Sequence, residues 1–301
     1  MNKKYKFIIL AIFFIAAFSL AGYYLHHQNI AILNPKGPVA HQERNLIYIA
    51  LALALLVVIP VYTMTIVFAV RYREGNKKAK YSPEMSGNRI VETIWWVIPS
   101  LIILVLATIA WRSAHTLDPW KPLVSSTKPL NVEVVAMNWK WLFIYPQQNI
   151  ASVNYVLFPV NTPINFQITS DTVMNSFWIP QLGGQIYAMP GMDTQIHLLA
   201  SSYGTFNGSS ANISGQGFAG MTFSAISTSD NGFNSWVKTV KKNSGDLNAA
   251  EYTALSKPSE NNPPVFYASA ANNLFYNIID KYMIPSGSYG AATNIPGATT
   301  Q

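Results

Sequence analysis

The sequence predicts a membrane-anchored α+β chain in which an N-terminal helical hairpin crosses the bilayer and an all-β sandwich or barrel with C-terminal helices follows. Three observations carry this. Half of the 301 residues are hydrophobic and only 11% are charged, where a soluble domain carries about a quarter. Two long uncharged apolar runs precede Arg112. From Thr127 onward the pattern changes to short alternating runs broken by Gly and Pro.

The first apolar segment, Phe7 to Ala21, follows Lys3, Lys4 and Lys6. A short apolar run behind a basic start is the pattern of a signal peptide, so residues 1–24 are expected to be a signal peptide or a retained signal-anchor. Leu20-Ala21-Gly22 is similar to the start of a lipoprotein cleavage site, but Tyr23 stands where the lipidated Cys belongs. Residues 25–114 read as the hairpin. Ile47–Val70 and Thr93–Trp111 are free of charge, and each is long enough to cross about 30 Å of hydrocarbon. Helices are predicted at about 47–70 and 92–111. The loop between them, 71–90, holds Arg71, Arg73, Lys77, Lys78, Lys80 and Arg89. Positive loops stay in the cytoplasm, which sends the remainder of the chain to the outer side, the periplasm of a bacterial inner membrane. Pro60 and Pro99 fall inside the spans, where neighbours can satisfy the freed carbonyl.

The outer domain spans 115–230. Val132–Ala136, Ile164–Ile168, Thr194–Leu198 and Met221–Ile226 read as strands, punctuated by Gly and Pro, in the manner of a sandwich or barrel. Residues 231–285 form an aromatic-rich helical extension. Phe233, Trp236, Val237 and Val240 have helical spacing, and so do Leu274, Ile278, Ile279 and Tyr282. The Gly/Ala/Ser/Thr-rich tail 286–301 is expected to be disordered.

Net charge is +7 but unevenly placed. Residues 1–114 carry 12 Lys/Arg against 4 Asp/Glu, and residues 115–301 carry 8 against 9. The outer domain therefore lacks the basic stripe that nucleic-acid binding needs. There is no cysteine, which excludes disulfides, thiolate metal sites and thiol catalysis. No Gly-rich phosphate loop, Ser/His/Asp spacing or paired carboxylate motif is present, so the chain itself is expected not to be catalytic.

Three stretches carry a family resemblance. They are Met137–Pro146 (MNWKWLFIYP), Val173–Pro180 followed by Gln185–Met192, and Gly208–Met221 (GSSANISGQGFAGM). Behind a two-helix hairpin this order resembles subunit II of haem–copper respiratory oxidases, and Asn34-Pro35-Lys36-Gly37 and Lys80-Tyr81-Ser82-Pro83 are similar to the bo-type ubiquinol oxidase branch. The resemblance implies a cupredoxin-like outer domain. In the cytochrome c branch that domain holds a binuclear copper centre on a His followed by Cys-x-Glu-x-Cys-x3-His-x2-Met. Laid on this chain, the first His falls on Asn175, the Cys pair on Ser210 and Ser214, the Glu on Asn212 and the second His on Phe218; only Met221 is kept. Copper electron-transfer sites need thiolate and imidazole, so these positions imply a vestigial site and no metal. Asn175, Ser210, Asn212 and Ser214 are expected to hydrogen-bond one another in its place, with Met221 as packing. Trp139 and Trp141 flank Lys140, and strand spacing would put both rings on one side as packing.

Glu92 stands at the cytoplasmic end of the second span, and an ionisable group there is a functional candidate. In the resembling family a Glu at this place lies at the mouth of a proton channel into subunit I. The bland alternative is an interfacial Glu paired with Arg89 or Lys80.

The resemblance implies a non-catalytic subunit of a proton-pumping ubiquinol oxidase. Its partners would be the catalytic subunit I, small membrane subunits III and IV and the lipid bilayer, with ubiquinol reached through subunit I and with no cytochrome c and no nucleic acid. No cofactor is expected on this chain; two haems and one copper are expected in subunit I. The rival readings are subunit II of an aa-type menaquinol oxidase, a membrane-anchored binding or assembly protein that reuses the fold, and a copper electron carrier.

Overall fold

The computed structural model describes residues 30–76, 87–125 and 127–283, with Ala16, Ser19, Leu20, residues 22–24 and Glu84 besides. Ala21 of the cleavage-like motif at 20–23, the loop cations Lys77, Lys78 and Lys80, and the tail 286–301 fall outside the described residues. The chain divides into two compact units, 42–121 and the remainder.

The first unit is a helical pair. Helix α1 is Pro38–Arg71 and α2 is Arg89–Thr116. Both run past the predicted bounds, because the uncharged window stops at His41–Arg44 and at Arg112 while helix-forming residues continue. At 1.5 Å per residue they measure about 51 and 42 Å, more than the hydrocarbon needs. Proline opens α1, where its missing N–H costs nothing. Asn88 caps α2 by accepting from the Ile90 and Val91 amides at 3.0 and 3.4 Å. Leu51, Leu56, Ile59 and Phe68 on α1, and Trp96, Ile103 and Leu104 on α2, are all exposed, the pattern of lipid-facing helices.

The second unit is a sandwich of two sheets. Its strands are Leu130–Met137 (β1), Lys140–Tyr145 (β2), Ile150–Val153 (β3), Tyr155–Pro159 (β4), Ile164–Ser170 (β5), Asn175–Trp178 (β6), Gln185–Ala188 (β7), Thr194–Leu198 (β8), Gly204–Ser210 (β9), Thr222–Thr228 (β10), Gly245–Leu247 (β11) and Val265–Ala270 (β12). One sheet has the order β11-β12-β3-β2-β1-β5-β8 and the other β4-β10-β9-β6-β7. The two inner faces bury one apolar core. β1 contributes Val132, Val134 and Ala136, and β2 contributes Trp141, Phe143 and Tyr145. Opposite stand Phe177, Phe206 and Phe223, with Phe177 and Phe223 stacked at 5.2 Å.

Helices Asp230–Asn243 (α3), Ala249–Leu255 (α4) and Leu274–Met283 (α5) follow the strands. α3 seals an edge with Phe233 and Val240 in the core. α5 covers the outside of the larger sheet. Leu142, Ile144, Val135 and Met137 there meet Phe275, Ile278 and Ile279 in a second core. β2 is accordingly buried on both faces. Phe275, read from sequence as lying beside the apolar stripe, is fully buried, and Tyr282, read as part of it, is 40% exposed.

Ahead of α1 the chain forms a strap on the sandwich. The Lys36 amide donates to Gln181 O at 2.7 Å, the Ser201 amide to Lys36 O at 2.7 Å, and the Ala40 amide to Leu182 O at 3.2 Å. Gly37 passes so close to the Leu199 carbonyl that no Cβ fits.

Candidate functional site

The β9–β10 connection begins at Ser210, includes a short 3-10 turn over Gln216–Gly220 and ends at Met221. It lies against the start of β6, because Ser210 is in register with Phe177. That pairing brings Asn175 to Ser210. The serine hydroxyl faces Asn175 Oδ1 at 3.1 Å and Asn212 O at 3.1 Å, and its single proton serves one acceptor at a time. Asn175 Nδ2 donates to Val173 O at 2.9 Å, and Asn212 Nδ2 to Met174 O at 3.0 Å. Ser214 Oγ points at Met221 Sδ, 4.0 Å away. Asn175, Ser210 and Met221 are buried, whereas Asn212, Ser214 and Phe218 are half-buried.

The structure therefore gathers these positions but corrects one expectation. The four polar residues do not bond mainly to one another. Only Ser210 and Asn175 meet through their side chains; Asn212 turns to a backbone carbonyl and Ser214 to sulfur. For the two asparagines, the Val173 and Met174 carbonyls just ahead of β6 are already in place, so they outcompete a side chain that must be ordered.

The donor set does not fit copper. It comprises two hydroxyls, two amides, a phenyl ring and one thioether, and copper electron-transfer centres need thiolate and imidazole. Among the described residues no group of three His, Cys, Asp or Glu side chains is placed to hold a metal. His197 stands on the other sheet, on β8, opposite Asn165.

Trp139 corrects a second expectation. It is not at strand spacing with Trp141. It occupies the β1–β2 turn at φ 62°, a conformation that costs a bulky residue about 1–3 kcal/mol. Its surroundings hold it there. The indole Nε1 donates to Ser214 O at 3.1 Å, and a methyl group at Gly217 would stand 2.5 Å from the ring. Trp139 thus wedges the β9–β10 loop, while Trp141 packs in the core against Phe177 and Phe223.

Two buried charges escaped the sequence reading, and both tie the C-terminal extension to the sandwich. Asp171, just after β5, accepts from Tyr252 Oη at 2.6 Å, Lys281 Nζ at 2.6 Å and Tyr282 Oη at 2.9 Å. Burial, and after it the bond to Asp171, pushes both phenols up. Lys281 is also raised: burial alone would lower it, but the bond and the charge of Asp171 outweigh burial. Lys140 donates to Leu255 O and Lys257 O at 2.8 Å each and to Ser259 Oγ at 2.5 Å. Burial lowers its pKa. Asn138 joins the two anchors, donating to Ser256 O at 3.2 Å and accepting from Thr172 Oγ1 at 2.7 Å. The available signal was scarcity: with 11% charged residues, a charge inside a strand-rich stretch stands out.

Glu92 lies one turn into α2 and is exposed. Its carboxylate fills the space where a Gly87 Cβ would stand. Among the described residues it makes no ion pair, so pairing with Arg89 is absent; Lys80 lies outside the described residues.

A membrane-anchored helical pair that carries a sandwich of this kind defines a class, the second subunits of haem–copper oxidases. The chain matches "Cytochrome C oxidase subunit II, transmembrane domain" over residues 25–112, "Cytochrome C oxidase subunit II, periplasmic domain" over 146–227 and "COX Aromatic Rich Motif" over 241–286. It is 54% identical over 254 residues to cytochrome bo(3) ubiquinol oxidase subunit 2 of Pseudomonas putida, covering 84% of this chain and 81% of that one. The Pseudomonas aeruginosa counterpart is 50% identical over 264 residues, covering 88% and 80%. Quinol oxidase subunit 2 of Bacillus subtilis is 38% identical over 232 residues, covering 76% and 72%. The chain belongs to the cytochrome and quinol oxidase subunit II family, as a membrane-anchored member with an external C-terminal domain.

Proposed function

We propose that this chain is the non-catalytic subunit II of a proton-pumping ubiquinol oxidase in a bacterial inner membrane. The observation that carries the reading is the β9–β10 loop with the start of β6, where hydroxyls, amides and a phenyl ring stand at the positions onto which the resemblance lays copper ligands. A chain without that centre has no way to take electrons from cytochrome c, whereas ubiquinol can deliver them within the bilayer to subunit I. Similarity to two bo(3) subunits at 50% identity or more supports the ubiquinol branch over the Bacillus-type quinol oxidase, at 38%.

In this reading subunit I holds two haems and one copper. This chain braces subunit I with its hairpin and caps it with the sandwich, beside subunits III and IV. Residues 1–24 serve as signal or anchor. Glu92 lies at the entry of a proton path; its exposure and its lack of an ion pair among the described residues leave the carboxylate available for that task.

Purification from native membranes in mild detergent tests the reading. The chain should travel with a haem-bearing partner, and the complex should oxidise ubiquinol but not reduced cytochrome c. Purification without any haem protein would favour a free-standing assembly or binding protein. Copper bound stoichiometrically to this polypeptide would overturn the proposal.

A further inference from the structure

The outer face of the larger sheet carries a polar cluster that nothing above uses. Glu133 on β1 is in register with Gln167 on β5 and with Ile144 on β2. Asp193 directly precedes β8, and its Oδ2 accepts from Gln167 Nε2 at 3.4 Å. The other oxygen, Oδ1, is shut off from solvent without a hydrogen-bond partner among the described residues. Beside Glu133 lies a cavity of about 140 Å³. Glu133 lines it from the sheet, and Asn272, Asn273, Leu274 and Tyr276 line it from the start of α5.

The charge around Glu133 is of one sign. Gln167 faces it from β5 and is neutral; Asp193 faces it from the β8 side, with the His197 imidazole one row further along the same sheet. β2 presents Ile144, and the C-terminal extension presents two amides and the Tyr276 phenol. The cations of these elements are used elsewhere: Lys281 on Asp171, Lys140 on backbone carbonyls. Among the described residues neither Glu133 nor Asp193 has an ion pair. A partly buried carboxylate with a second carboxylate near it and no cation does not ionise freely.

We propose that Glu133, with Asp193 as its charged neighbour across Gln167, is a proton-binding site, and that loss of its proton hydrates the cavity and loosens the 270–276 stretch above it. The proton passes to bulk water and no other bond changes. The cavity has room for several waters, and a freed carboxylate needs them. Burial first, then the charge of Asp193, pushes Glu133 up to about 7, and burial also raises Asp193, against the opposing bond from Gln167. The occupancy of the site therefore changes near neutral pH. That the pH sensed is that of the compartment receiving exported protons rests on the functional reading above; the titration itself does not.

The test uses the full-length chain in its detergent-solubilised complex. Infrared difference spectra between pH 6 and 8 should show a protonated carboxylic acid band with a midpoint near 7. The band should vanish in E133Q, and in D193N the midpoint should fall by about one pH unit as the repulsion is removed. Amide exchange over 265–283, corrected for its intrinsic pH dependence, should rise from pH 6 to 8 in the wild type and stay flat in E133Q. A wild-type band already absent at pH 6, a band that survives in E133Q, or a midpoint unmoved in D193N would each overturn the proposal. Failure to oxidise ubiquinol would instead count against the functional reading alone.

Discussion

Asp171 and Lys140 show how few charges this domain uses and how much rests on each. Asp171 gathers three donors from the C-terminal extension. In Asp171→Asn the amide still accepts a hydrogen bond, but the charge facing Lys281 is gone and the amide's own N–H protons face the donors. Stability should fall by about 1–3 kcal/mol, read as a lower midpoint in urea, with faster exchange of the α5 amides. Lys140→Met leaves Leu255 O, Lys257 O and Ser259 Oγ without their shared donor. A loss on the order of 1–3 kcal/mol should follow, with release of the 255–259 segment as the local sign in exchange measurements. Glu133 gives the pH dependence. Its pKa is near 4.5 in the unfolded chain and about 7 when folded, so the folded state holds the proton more tightly. The resulting stabilisation is complete below about 4.5 and is lost as pH rises through about 7. Denaturation midpoints of wild type should decline across that window, and those of Glu133→Gln should decline less. A steeper decline in the variant would refute the assignment.

The elements differ in how openly the sequence declares them. Thr194–Leu198 is a strand with the bounds that its alternation predicts, α3 buries Phe233 and Val240 of its stripe, and α5 buries Leu274, Ile278 and Ile279 of its own but leaves Tyr282 out. β2 was harder to read. Lys140-Trp141-Leu142-Phe143-Ile144-Tyr145 has no polar side to mark its alternation, because α5, more than a hundred residues later, covers the face that would otherwise meet water. Trp139 looked like part of that strand because spacing does not reveal a left-handed turn at a tryptophan. The Ser210–Asn175 contact was legible from the residue types, but the bonds of Asn212 and Ser214 were not. The first depends on where the Met174 carbonyl stands just ahead of β6, and the second on the sulfur of Met221. Among the helices, Glu92 supplies the functional test. Glu92→Ala should slow ubiquinol turnover while the complex assembles with its haems intact, and unchanged turnover would remove the proton-entry role.

At the scale of the whole molecule the chain combines two solvent regimes. The helical pair exposes apolar side chains throughout, whereas the sandwich buries its own on both sides of the larger sheet. Metal analysis of the purified chain should find no copper held by the β9–β10 loop even after incubation with the ion, and stoichiometric retention would contradict the donor chemistry described above.

The strap at Lys36–Ala40 sets an order of events during synthesis. Its amide and carbonyl partners lie at Gln181, Leu182 and Ser201, which leave the ribosome only after both apolar helices and the first six strands. Until then Lys36 and Ala40 lack these partners, and Gly37 must later enter a slot too narrow for any side chain. Maturation of this polypeptide therefore closes a ring from its two distant parts, and a methyl group at residue 37 should stall the last step while leaving insertion of the hairpin untouched.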